Sequence, residues 1–129
     1  MKILLDTHAF LWAIADAPSL SRAAKDAFED EENELLLSLA STWEMAIKIS
    51  LGKLTLGKPL DVLLPEQMAR NSIVHLSIES RHAFHVAALP FHHRDPFDRL
   101  LAAQCLVDDL TLLSANPVFD RYGVRRVWG

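Results

Sequence analysis

Four short stretches constrain this chain more than anything else in it: Lys2–Leu5, Glu34–Leu39, Ile73–Ile78 and Leu110–Leu113. Their apolar residues stand mostly on consecutive positions. A strand with one wet face alternates apolar and polar residues, whereas a strand covered on both faces does not. Each stretch is separated from the next by enough chain for a helix. Parallel strands need such crossovers, because a tight turn cannot join them. The pattern predicts an α/β fold with a parallel sheet covered by helices on both faces.

The intervening segments carry start and stop signals. Leu11–Ala15 reads as helical and ends in the turn Asp16-Ala17-Pro18. Ser21 is placed to cap a helix through Phe28. Ser41-Thr42-Trp43-Glu44 opens a helix to Leu51, with Gly52 as its stop. Pro65 suits the first turn of a helix reaching Asn71. Glu79–Leu89 is a helix closed by Pro90, Phe97–Val107 another, and Val124–Trp128 a short fifth strand.

The 129 residues suit one domain, 1–129, large enough for a core without staples. One cysteine, Cys105, excludes a disulfide framework and any cysteine-rich zinc site; on an apolar helix face it reads as an inert core thiol. No apolar run approaches the roughly 20 residues of a membrane helix. Asp6 interrupts the N-terminal apolar stretch, so no secretion signal is expected; the reading is a cytoplasmic protein with no membrane association. Net charge is −4, against a protein that coats duplex nucleic acid with a broad basic face. Bound divalent ions would supply positive charge locally. The acidic run Glu29–Glu34 reads as a solvated helix end.

Asp6 follows the first strand, Glu44 lies early in the helix after the second, Asp95 and Asp98 open the helix before the fourth, and Ser114 and Asn116 follow the fourth. In right-handed βαβ units, strand C-termini and the N-termini of the following helices share one sheet edge, where ligands bind. Carboxylates gathered there repel one another unless a divalent cation with oxygen ligands offsets them. Each residue also has a plainer reading. Glu44 fits a capping box with Ser41, Asp98 serves the helix dipole, Asp95 before Pro96 makes a turn, and Asn116-Pro117 opens one. Asp6 is hardest to explain away, since an acid directly after a buried strand needs a partner.

The stretches LLDTHAFLWA, STWEMAIKISLGKL, LPFHHRDPFDRLLAAQ and LLSANPVFDRYGV resemble, in order and spacing, the PIN-domain family and within it the VapC-like ribonuclease toxins of toxin–antitoxin pairs. The resemblance spans nearly the whole chain. It implies a three-layer α/β/α sandwich with a central parallel sheet, and an acid cluster that binds Mg²⁺ or Mn²⁺ and hydrolyses RNA. By position the family acids fall on Asp6, Glu44 and Asp98, with Asp95 a neighbouring or substitute ligand. The fourth family position, often Asp, is Asn116, which offers a neutral carbonyl and puts a second tightly bound ion in doubt. Thr7 and Ser114 are placed to support the cluster. Arg94, Arg99 and Lys48 are candidate phosphate contacts. Attack by water would leave 5′-phosphate and 3′-hydroxyl ends, and 2′,3′-cyclic phosphate would contradict it. The family also implies a homodimer and a cognate antitoxin.

His92-His93 beside Arg94 suggests zinc or a general base, but adjacent residues rarely hold one ion and no further ligand stands at zinc spacing. His8 is placed at the rim; Trp12, Trp43 and Trp128 read as core or dimer surface. A phosphotransferase Asp-x-Asp pair would need Asp at position 8, and a receiver domain a late Lys, yet none follows Lys58. Two rivals stand: a catalytically weak partner-binding module that has drifted at Asn116, and a deoxyribonuclease of the same architecture, disfavoured by the lack of a basic arm.

Overall fold

The structure, a computed structural model, describes residues 1–129. Five parallel strands form one sheet in the order β3-β2-β1-β4-β5. They are β1 (Lys2–Leu5), β2 (Glu34–Ser38), β3 (Ile73–Leu76), β4 (Thr111–Leu113) and β5 (Arg126–Val127). Six helices connect them: α1 (Thr7–Ile14), α2 (Arg22–Glu29), α3 (Leu39–Ser50), α4 (Leu60–Arg70), α5 (Ser80–Ala88) and α6 (Pro96–Asp108). A 3₁₀ helix, Pro117–Tyr122, precedes β5. The chain winds from β1 outward to β3, then returns to the other side of β1, so the order reverses between β1 and β4. That reversal opens a crevice at the strand C-termini.

Successive residues of the central strands enter different cores. Ile3, Leu5, Leu35, Leu37 and Leu113 pack with Phe10 of α1, Ala24 of α2, Met45 of α3 and Leu64 of α4. Leu4, Leu36 and Leu112 pack on the other face with Leu101, Ala102 and Cys105 of α6 and with Phe119. These are the three layers of an α/β/α sandwich. Edge strand β3 departs from the buried pattern, with Val74 exposed, and is shorter than its apolar run. The α5–α6 pair is tied at its far end by His82, which accepts from the Glu79 amide at 2.9 Å and meets Asp108 at 2.8 Å. No helix is long and apolar enough to cross a membrane.

Three helix starts differ from expectation. The helix after β1 begins at Thr7, not near Leu11, because the Asp6 carboxylate caps it by accepting the Ala9 amide at 2.7 Å. Helix α3 begins at Leu39, capped by Ser38 on the Ala40 amide at 3.0 Å, so Ser41 and Glu44 form no capping box. Helix α4 begins at Leu60 and carries Pro65 in its interior. Interior proline costs about 3 kcal/mol through its lost hydrogen bond and ring clash. Burial of Leu64 against the sheet offsets that, while Pro65 sits on the exposed side.

Leu112, fully buried at the sheet centre, sets a measurable scale for this core. Leu112→Ala is expected to lower stability by about 2–5 kcal/mol, read as a lower urea midpoint at unchanged m-value.

Candidate active site

The reversal crevice holds a cavity of ≈ 190 Å³ lined only by polar residues, Asp6, Thr7, Glu44, Asp95, Asp98 and Asn116 among them. Asp6 stands at the hinge between β1 and α1, 7% exposed. Its backbone amide donates to Leu113 O at 3.1 Å, continuing the β1–β4 ladder by one bond. Its carboxylate accepts from the Ala9 amide and hydrogen-bonds Ser114. Burial pushes this carboxyl above its ordinary range, the Glu44 charge adds to the rise, and those two hydrogen bonds oppose it.

Glu44 reaches the cavity from the second turn of α3. The Thr7 hydroxyl donates to Glu44 Oε1 at 2.6 Å and lies 3.0 Å from Ser41 Oγ. Lys48, one turn on, pairs with Glu44 Oε2 at 2.9 Å. Nothing in the sequence singled out Ser41 except as a cap; its buried contact with Thr7 becomes visible only once α1 and α3 are side by side.

The third wall is the start of α6. Asp95 caps this helix through Oδ1, accepting from Phe97 and Asp98 amides at 2.8 and 3.1 Å, with Pro96 at the first helical position. Asp98 lies in the first turn and meets His93 Nε2 at 2.8 Å. Burial pushes the Asp98 carboxyl up to about 6; the His93 bond opposes this, and the Asp95 and Asp6 charges add to it. His93 was given little weight in the sequence because adjacent histidines rarely hold one ion and no further ligand stands at zinc spacing. The structure separates them: His93 lines the cavity, while the His92 ring packs against Tyr122.

Asn116 also lines the cavity. Its carbonyl oxygen accepts the Val118 amide at 3.0 Å, capping the 3₁₀ helix, and its own amide donates to Ser114 Oγ at 3.1 Å. His8 is at the rim and Arg94 is exposed outside the cavity.

Arg99 is a correction. Read as a candidate phosphate contact, it is instead 5% exposed and does not line the cavity. Its guanidinium donates to the carbonyls of Val86, Leu89 and Pro90 at 2.9–3.3 Å and to the Tyr122 hydroxyl at 3.2 Å, beneath the Phe91 ring. These carbonyls lie at the end of α5 and in the loop after it, where a fork of donors meets them, Val86 O also accepting the Leu89 amide.

Fold and site together define an α/β protein with an acid-lined crevice at a topological switch point. The sequence profile of the PIN domain matches residues 3–125, and the chain belongs to the PIN domain family. Ribonuclease VapC16 of Mycobacterium tuberculosis (strain ATCC 25618 / H37Rv) is 39% identical over 71 residues. That match covers 55% of this chain and 48% of that protein, so the likeness spans about half of the relative's length. Solved structures resemble it over nearly the full chain. VapBC2 from Rickettsia felis, bound to a DNA fragment from their promoter, has a TM-score of 0.74 at 17% identity, covering 98% of this chain and 97% of that one. FitAcB from Neisseria gonorrhoeae has a TM-score of 0.65 at 18% identity, covering 96% and 95%. At such identities the likeness is one of fold.

The raised Asp98 carboxyl makes a signed prediction. Its buried form favours the proton, so the stability it contributes is present below its ordinary value of 3.8 and is lost as pH rises through about 6. In chelator, Asp98→Asn is expected to match the parent near pH 3.5 and exceed it by roughly 2 kcal/mol at pH 7.5, read by urea unfolding. Arg99→Ala strands buried carbonyls and is expected to lose about 3 kcal/mol or more in the same assay.

Proposed function

We propose that this chain is a divalent-metal-dependent endoribonuclease of the VapC type, cytoplasmic, and held in check by a cognate antitoxin protein. The observation that carries the reading is the meeting of Asp6, Glu44 and Asp98 in one cavity from three separate elements. Asp6 is buried and Asp98 part-buried, burial disfavours the charged form of each, and no Lys or Arg pairs with either. A cation is what such a pair lacks, and carboxylate oxygens suit Mg²⁺ or Mn²⁺.

Asp6, Glu44 and Asp98 would hold that ion, which supplies Lewis-acid activation of water and neutralises charge on the phosphate. The chain's own residues do the rest. Ser114 and the Ala9 amide fix the Asp6 carboxylate, and Thr7 fixes Glu44, so these acids keep one orientation. Lys48, part-exposed beside Glu44, is placed to exchange its carboxylate for a substrate phosphate. Asn116 brings no negative charge to the fourth position, so the site is expected to hold one ion tightly and a second only with substrate. Arg94, exposed next to the cavity, is the remaining candidate for the RNA backbone.

The similarity to Ribonuclease VapC16 supports RNA as the substrate class. The likeness to VapBC complexes supports an antitoxin partner. The outer face of α3 also carries an apolar pocket lined by Leu39, Trp43, Ala46 and Ile78, with Trp43 58% exposed. A homodimer built on this face would cover it.

Purified free of any partner, the chain is expected to cleave structured RNA in Mg²⁺ or Mn²⁺, leaving 5′-phosphate ends. EDTA should abolish the cleavage, and Asp6→Asn should reduce it by about 100-fold or more. Equal cleavage by parent and Asp6→Asn would point to a contaminant. Absence of both cleavage and metal binding by calorimetry would favour the binding-module reading.

A further inference from the structure

His93 is held in place from behind. Its backbone amide donates to the Tyr122 hydroxyl at 3.0 Å, and its carbonyl lies 3.5 Å from Arg99 Nη1. Arg99 is itself locked by the carbonyls at the end of α5. A loop residue is thereby fixed by a buried charged side chain, and its imidazole is turned to the acid cavity while the neighbouring His92 ring faces Tyr122. The imidazole itself stays part-exposed at the cavity.

The donor geometry is specific. His93 Nε2 and Asp98 Oδ2 are 2.8 Å apart. Neighbouring ligands on one ion with bonds of about 2.1 Å stand about 3 Å apart, so this pair already has that spacing. One donor atom from each of His93, Asp95 and Asp98 lies within 4.8 Å of the others; Asp6 and Glu44 line the same cavity outside that tight group. Asp95 spends Oδ1 on the α6 cap and keeps Oδ2 free. Asn116, where an acid would add an oxygen, has its carbonyl engaged by Val118.

We propose that His93 is a direct ligand of the divalent ion at this sheet edge, giving the centre one imidazole nitrogen beside the shared Asp98 carboxylate and a preference for Mn²⁺ over Mg²⁺. The inference rests on the metal-centre reading above and adds a ligand to it. Mg²⁺ favours oxygen donors, whereas imidazole favours first-row transition ions, so a nitrogen in the set shifts selectivity even when the carboxylates are unchanged.

The test is Mn²⁺ binding to the purified chain, followed by electron spin echo spectroscopy, which reads nitrogen bonded to the ion without any turnover. The parent is expected to show imidazole nitrogen coupling that His93→Gln loses. The same variant should lower the ratio of Mn²⁺ to Mg²⁺ affinity by about tenfold or more in calorimetry. A parent that binds Mn²⁺ without nitrogen coupling overturns the inference and leaves the carboxylate centre standing, however the variant folds. Coupling that survives in His93→Gln overturns it too and moves the ligand to His8, the other cavity histidine. A parent that binds no Mn²⁺ removes the metal-centre reading itself.

Discussion

The hydrogen bond from the Ala9 amide to the Asp6 carboxylate is the constraint on which the rest of this architecture turns. It lets β1 pass into α1 without a loop, and it holds an acid at the end of the innermost strand. An N-cap contributes about 1 kcal/mol, while burying a carboxylate without a counter-charge costs more than that. The difference is borne by the two cores. Ile3, Leu4 and Leu5, immediately before Asp6, are fully buried, and they fix the strand end too firmly for the acid to swing into water.

The same logic runs through the neighbouring groups. Thr7 follows Asp6 directly and orients Glu44; Ser114 directly follows β4 and orients Asp6. Both are short, buried hydroxyl side chains next to the ends of central strands, so the acids are set by the sheet. Without a cation the crevice is electrostatically frustrated, which is the usual relation between a binding site and the stability of its scaffold.

Much of this was legible in the sequence, for identifiable reasons. Consecutive apolar residues in Lys2–Leu5 and Glu34–Leu39 carry the parallel sheet, and the sheet alone brings Asp6, Glu44 and Ser114 to one edge. Helix starts were harder. Ser38 sits inside an apolar run and so hides as a cap, while Ser41 and Glu44 imitate one at the correct spacing. Pro65 looks like a first-turn residue because its tolerance at mid-helix depends on Leu64 finding the core. Arg99 reads as a surface charge because nothing local announces the five oxygens that gather round it from α5, the following loop and Tyr122. His93 could be recognised only after the loop had chosen which of two adjacent rings faces inward.

The Arg99 knot also divides the molecule mechanically. Asp6, Thr7 and Glu44 ride on the end of β1, α1 and α3, whereas His93, Asp95 and Asp98 ride on a hairpin of α5 and α6 that Arg99 and His82 brace at opposite ends. The crevice is therefore a seam between these two groups of elements, closed from below where α6 seats on Leu4 and Leu112 in one core. Anything bound across that seam acts as a clasp.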